Sequence, residues 1–248
     1  MNSRSRWAGM WLIVRFNWPI FVTAITVAIL AVVTLLIFRK WIALAALGGC
    51  LWFLGGSLFA AHVVYDRSDL RRGDWFRRAT EGLAIRQAAL CHCGYDDLLP
   101  VLRSICPEVV WRVLDHYDEI QMSEPSIHRA RKLFPPTHET TAAHFSKWPL
   151  ADESCDAVFG LLAMHELRRP SERSAWFSEA RRCSAKNGRV VILEHLRDVA
   201  NFAAFGPGFV HFHSADTWKR DWENAGLQCL DAFQITPFVR AFVLFRHV

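Results

Sequence analysis

Two long apolar runs open the chain, and a mixed pattern follows them. From Pro19 to Phe38 no residue is charged and most are Val, Ile, Leu, Ala or Phe. Trp41 to Val64 repeats this, with His62 and Cys50 as its only titratable side chains. Neither run keeps the polar stripe of a soluble helix. About 20 apolar helical residues cross a bilayer core, so the pattern predicts transmembrane helices at 19–38 and 41–64. Only Arg39 and Lys40 separate them, which predicts a tight hairpin with both outer ends on one side. Gly48, Gly49, Gly55 and Gly56 share nearly one face of the second helix, a groove for close approach of the first.

From about residue 83 short β-rich runs alternate with polar, helix-compatible stretches. Gln87–Cys93, Val109–Asp115, Thr140–Phe145, Asp156–Leu162 and Arg189–His195 read as strands. Asp97–Ile105, Ser123–Leu133, Ser171–Lys186 and Ser214–Ala225 read as helices, with Ser171 and Ser214 as N-caps and Asn187-Gly188 and Gly226 as stops. This alternation predicts an α/β fold with a mostly parallel sheet covered on both faces. Leu227–Val248, with Pro237 near its middle, would close the sheet as an antiparallel hairpin. Ligands of such sheets bind beyond the carboxyl ends of the strands, near the switch point of strand order. Those ends are Cys93-Gly94-Tyr95-Asp96, Asp115-His116-Tyr117, His144-Phe145, Leu162 to Glu166, and Glu194-His195.

Composition narrows the class. Over 248 residues, 52% are hydrophobic and 21% charged, with mean hydropathy +0.12, which excludes disordered, collagen-like and coiled-coil chains. Residues 1–78 hold ten Lys/Arg against three Asp/Glu, a net of +7, and residues 79–248 hold nineteen against twenty-one, a net of −2. The basic excess therefore flanks the apolar runs, and the larger part has no basic stripe suited to nucleic acid. Arg4, Arg6, Arg15, Arg67, Arg71, Arg72, Arg77 and Arg78 outnumber the two loop cations, which puts the ends in the cytoplasm. The expected organisation is a cytoplasmic tail 1–18, the two spans, a basic linker 65–82 with Trp75 and Phe76 against lipid headgroups or in a solvated helix, and a cytoplasmic domain 83–248. Seven scattered cysteines imply free thiols in a reducing compartment.

Trp148-Pro149-Leu150, Asp152 and Asp156, followed by the apolar run Ala157–Leu162, are similar to the middle of a class I S-adenosylmethionine-dependent methyltransferase. So are Arg181-Arg182, the Lys186-Asn187-Gly188 turn and a strand ending in Glu194. The likeness spans about 85–230 and is strongest to the group acting on quinones and other lipids. It implies a Rossmann-like domain with a seven-stranded sheet and S-adenosylmethionine as cofactor. Gly94 matches the family's first glycine, His92 stands where an acid is usual, and Tyr95 and Asp96 replace further glycines. Asp115 fits the acid that accepts from both ribose hydroxyls, while His144 and Phe145 lie where the adenine is held. His116 and Leu162, at neighbouring strand ends, complete the cofactor-binding set. Asp96 has an equal reading as a helix cap.

Methyl transfer needs a positioned acceptor and sometimes a base. His165, Glu166, Glu194 and His195 are the catalytic candidates, with helix initiation as the alternative for the first two. His211 and His213 follow Gly206-Pro207-Gly208 and could belong to an aromatic lid with Phe202, Phe205, Phe209 and Phe212, or to a packed surface loop. No Cys-x-x-Cys or His-x-x-x-His spacing occurs, so no metal is expected. The leading expectation is a membrane-anchored methyltransferase for a lipophilic small molecule, with membrane lipids as neighbours and no nucleic acid. A catalytically inactive scaffold at the membrane is the alternative.

Overall fold

Seven strands form one sheet in the computed structural model, which describes residues 6–246. They are β1 (Gln87–His92), β2 (Val110–Asp115), β3 (Thr140–Ala142), β4 (Cys155–Leu161), β5 (Ser184–His195), β6 (Leu227–Thr236) and β7 (Val239–Arg246). Their order is β3-β2-β1-β4-β5-β7-β6, with β1 to β5 parallel and β7 antiparallel to both β5 and β6. The expected mixed sheet and closing hairpin are present. Strand order reverses between β1 and β4, so the switch point lies at their carboxyl ends.

Side-chain alternation builds the two faces. Val158 of β4 joins Trp176 and Phe177 of α6 (Pro170–Cys183) and Trp218 and Trp222 of α8 (Ala215–Asn224) in one apolar cluster. Phe159 points the other way, stacked on Phe76 with ring centres 5.4 Å apart. Phe76 and Trp75 belong to α3 (Asp74–Ala79) and are buried, so they serve the core rather than headgroups. The arginines around them are paired too: Arg71 with Asp97, Arg77 with Asp74 and Arg78 with Asp231. The basic linker of the sequence reading is, from Ser68, part of the α/β unit.

Other boundaries shift by local chemistry. Helix α4 (Leu99–Ile105) and helix α5 (Pro125–Leu133) start later than expected, each with proline in its first turn. Helix α6 starts at Pro170, where Glu172 closes back on the Arg169 N–H at 2.9 Å, so Ser171 is not its cap. It ends at Cys183, and Asn187-Gly188 lies inside β5 rather than stopping a helix. Ser214 does cap α8, its Oγ accepting from the Thr217 N–H at 3.2 Å. Ser214→Ala is expected to cost about 1 kcal/mol in chemical denaturation.

The second unit runs up to Arg67 and takes in Asp198–Phe209. Helix α1 (Ala8–Phe38) begins earlier than the predicted span because Asp66 accepts from the Gly9 and Met10 N–H groups, at 2.7 and 3.0 Å. It bends at Asn17, just before Pro19. Arg39, left-handed at φ 50°, turns the chain into α2 (Ile42–His62). Both helices are long and apolar enough to cross a membrane, and Leu36, Ile37, Trp41 and Ile42 are exposed. The glycine face of α2 does not receive α1: a Cβ at Gly48, Gly49 or Gly55 would meet nothing within 4 Å. At Gly56 it would lie 2.9 and 3.0 Å from the Ala204 and Ala203 carbonyl oxygens of α7 (Val199–Phe205). Close approach there is to α7. Arg4, counted in the orientation reading, and the last two residues of the C-terminal run lie outside the described residues.

Candidate active site

Two groups of polar side chains gather at the carboxyl ends of the parallel strands. The first surrounds Asp115, which pairs across the sheet with His92. Gly94 leaves β1 at φ 91°, a left-handed turn that favours glycine, and its N–H donates to Asp115 Oδ1 at 2.8 Å. The Tyr117 N–H donates to the same oxygen at 3.0 Å, and His92 Nδ1 lies 3.4 Å from it. Arg131 of α5 binds Oδ2. Burial alone would raise the Asp115 carboxyl, but His92, Arg131 and the two N–H groups hold it below its ordinary value. Burial lowers His92, against the pull of Asp115.

Around this carboxylate the other candidates divide. Asp96 caps α4, accepting from Leu98 and Leu99 N–H groups at 3.1 and 3.0 Å, and burial pushes it up to about 6. His116 donates through Nδ1 to the Ala143 carbonyl at 2.8 Å and stacks on Trp148. Burial brings it down to about 4, and its Nε2 is buried without a hydrogen-bond partner. His144 is exposed, 2.7 Å from Ser146 Oγ, with its ring beside Phe145. Leu162 closes β4 at φ 54°, a strained position for a branched residue, held by its N–H to the Leu193 carbonyl at 2.8 Å.

Sequence reasoning missed what covers Gly94. A Cβ there would lie 2.9 Å from the Tyr117 ring and 3.0 Å from Ile127 of α5. Arg131 stacks on the same tyrosine ring, 4.3 Å from its centre. Ile127 and Arg131, one turn apart, would have marked this face of α5 had Asp115 been known to sit beneath it. Tyr95, the side chain expected to crowd the turn, instead packs on Phe134.

The second group lies after β4 and β5. Glu194 is fully buried; Oε1 accepts from the Met164 and His165 N–H groups at 2.8 and 3.2 Å, and Oε2 is 2.7 Å from His165 Nδ1. His165 and Glu166 lie in a 3-10 turn, Met164–Glu166, so helix initiation is only part of their role. Glu166 lies 3.4 Å from His165 Nε2 and 3.2 Å from His211 Nε2, and Arg168 touches both Glu166 and His211. Burial disfavours charge on His165, yet Glu194 and Glu166 push it up to about 10. Burial likewise opposes ionisation of Glu166, but His165 and His211 hold it well below the carboxylate range. His195 stands apart, its Nδ1 2.9 Å from the Phe238 carbonyl and its ring stacked on Phe212. His213 is buried against Trp218 and Arg173, and burial takes it down to about 3. Of the supposed lid, Phe202 and Phe209 pack together in the helical unit, while His211 and Phe212 belong to the α/β unit.

Residues 93–192 match the family described as methyltransferase domain. No curated protein matches the chain. An S-adenosylmethionine-dependent methyltransferase from Aquifex aeolicus superposes with a TM-score of 0.52 at 16% identity, over 71% of this chain and 89% of that one. The PH0226 protein from Pyrococcus horikoshii gives 0.53 at 10%, over 72% and 89%. The [4+2]-cyclase SpnF gives 0.52 at 13%, over 74% and 83%. Identities this low speak for the fold alone, and the cyclase illustrates that one fold hosts several reactions.

The cofactor's cradle can be tested against these residues. Gly94, ionised Asp115 and the unpartnered His116 Nε2 suit a ribose and a base, whereas Arg131 and Tyr117 stand over them. Both lie outside the strands, and a ribose would reach the Asp115 carboxylate only where the Arg131 guanidinium, 27% exposed, leaves it. The α/β unit thus has the Rossmann-like fold of S-adenosylmethionine-dependent methyltransferases, and residues 93–192 within it match the methyltransferase domain family.

Proposed function

We propose that this chain is a membrane-anchored methyltransferase that acts on a lipophilic small molecule of quinone, isoprenoid or lipid-like character. The observation that carries this reading is the path of the chain after β5. Asp198–Phe209 leaves the α/β unit, joins the apolar helices and returns before α8. Within that helical unit Trp52 Nε1 donates to the Ala203 carbonyl at 2.8 Å, and Ser57 Oγ to the Ala204 carbonyl at 3.2 Å. Exposed Val199 and Phe202 extend the apolar surface of α1 and α2, more than water would tolerate on a stable soluble unit. The hairpin is then a two-span anchor in a cytoplasmic or inner membrane, and the excess of arginine on its outer ends supports a cytoplasmic α/β unit. An acceptor dissolved in the bilayer is concentrated near an enzyme tethered there.

In this reading Asp115 holds the ribose hydroxyls, with Gly94, His92, His116, His144, Phe145 and Leu162 around the nucleoside and Asp96 shaping the loop. The bound cofactor supplies an electrophilic methyl group. His165 keeps its proton at neutral pH, because its value lies near 10, and Glu166 keeps its charge. The pair is therefore not suited to removing a proton, and His165 would hold an anionic acceptor oxygen only where that oxygen takes the place of Glu166 at Nε2, since Glu194 already accepts from Nδ1. Glu194 positions His165, and His195 sets the wall behind Phe212.

The inactive-scaffold reading draws on one specific observation: Arg131 and Tyr117 occupy the crevice over Asp115 and Gly94. Calorimetry of the detergent-solubilised full chain with S-adenosylhomocysteine separates the two. Micromolar binding is expected; no heat at millimolar ligand leaves the scaffold. Transfer of labelled methyl from S-adenosylmethionine into organic-extractable material tests the acceptor class, and label found only in water-soluble products removes the lipophilic assignment.

A further inference from the structure

Glu166 lies where two imidazoles meet, one adjacent in sequence and the other 45 residues away. We propose that His165, Glu166 and His211 form a binding site for one divalent transition-metal ion of the zinc class. The three ligand atoms lie within 4.8 Å of one another, and His165 Nε2 and His211 Nε2 stand 3.4 and 3.2 Å from Glu166 Oε1. Zinc bonds of about 2.0–2.1 Å in a tetrahedron set neighbouring ligands roughly 3.3 Å apart. Two edges of the triangle already have that span.

The surroundings match a metal site in a second respect. Histidines that bind metals generally carry a carboxylate or carbonyl on their other nitrogen, which fixes the ring and its tautomer. Glu194 does this for His165 Nδ1 at 2.7 Å and is itself fixed by the Met164 and His165 N–H groups. His165 Nε2 is thereby aimed at Glu166. Arg168 supplies the positive charge in this arrangement: its guanidinium lies against both ring nitrogens of His211, 2.5 Å from the Nε2 proposed as ligand, 3.4 Å from Glu166 and 3.8 Å from Glu124. An arriving cation displaces the proton on His165 and pushes the guanidinium toward Glu124, which is 45% exposed and free to follow. Two imidazoles and one carboxylate leave a fourth position open, as catalytic zinc sites do, and an anionic oxygen is the ligand that suits it. The site needs no methyl donor, but filling it takes the His165 Nε2 proton, so a bound ion and the donor role given to that imidazole in the proposed function exclude one another.

Isothermal titration of the chelator-stripped full chain in detergent with Zn²⁺, paired with Co²⁺ absorption spectra, tests the site. One equivalent with dissociation at micromolar level or below, and an intense tetrahedral-type cobalt band, are expected. His211→Ala, at a partly exposed position, should weaken binding ~100-fold, and Glu194→Gln about 10-fold or more. Arg168→Gln should tighten it, since the competing cation is gone. Wild-type protein and Arg168→Gln both failing to bind one equivalent overturns the proposal, as does binding that His211→Ala leaves unchanged. Loss of S-adenosylhomocysteine binding with retained metal binding would count against the proposed function alone.

Discussion

Asp115→Ala is expected to weaken S-adenosylhomocysteine binding at least ~100-fold, and Arg131→Gln to strengthen it about 10-fold. In the proposed reading a ribose gives this carboxylate two hydrogen bonds, and bonds to a charged group contribute about 1.5–3 kcal/mol each. Losing them is worth two powers of ten or more. Arg131 acts in the opposite sense, because it holds the oxygen that the sugar must reach and must move first. Its ion pair is partly solvated and stacked on Tyr117, so about 1.4 kcal/mol of competition, a factor of ten, is a reasonable scale. Removing it leaves Asp115 with His92 and the N–H groups of Gly94 and Tyr117, so the carboxylate stays supported. Calorimetry on both variants reads the two directions. A weaker Arg131→Gln would mean that the guanidinium holds the cofactor itself, and the covering role assigned to it would be wrong.

The strands and the mostly parallel sheet with its closing hairpin were legible because the apolar runs are short, evenly spaced and β-rich, and burial on both sides leaves little freedom in what they can be. The ends of β2 and β5 were legible for the same reason: Asp115 and Glu194 are acids terminating apolar strands, and both are buried at the functional end of the sheet. Local chemistry set the helix starts, where Pro170 and Pro125 overrode the serines beside them. Long-range pairing stayed hidden. Nothing in the spacing of residues 67–78 tells that Phe76 stacks on Phe159, because an amphipathic basic stretch reads alike whether its apolar side meets lipid or a sheet. The glycine face of α2 misled similarly: small residues announce a close approach but not its partner, which is α7. The crevice and the histidine cluster depend on contacts from helix and loop, Arg131 to Asp115 and His211 to Glu166, whose separations of 16 and 45 residues carry no periodic signal.

Glu194→Ala is expected to destabilise the protein by about 3–5 kcal/mol, the usual cost of taking one partner from a buried ion pair. Three groups lose their acceptor together: the His165 ring and the Met164 and His165 N–H groups, the backbone groups resting within the turn after β4. Glu194→Gln keeps the shape and an acceptor oxygen, so it should cost less and report on charge alone. The pH dependence then distinguishes electrostatics from packing. His165 moves from an ordinary 6.5 to about 10 on folding, so the folded state holds its proton where the unfolded chain has released it. Its contribution is complete below pH 6.5 and is lost as pH rises toward 10. Denaturant midpoints of the metal-free wild type should accordingly fall between pH 7 and 10, while those of Glu194→Gln fall less steeply, Glu166 alone then raising His165. Parallel slopes in the two proteins would show that Glu194 does not charge His165, and with that the donor role given to this imidazole toward an anionic acceptor would lose its physical basis.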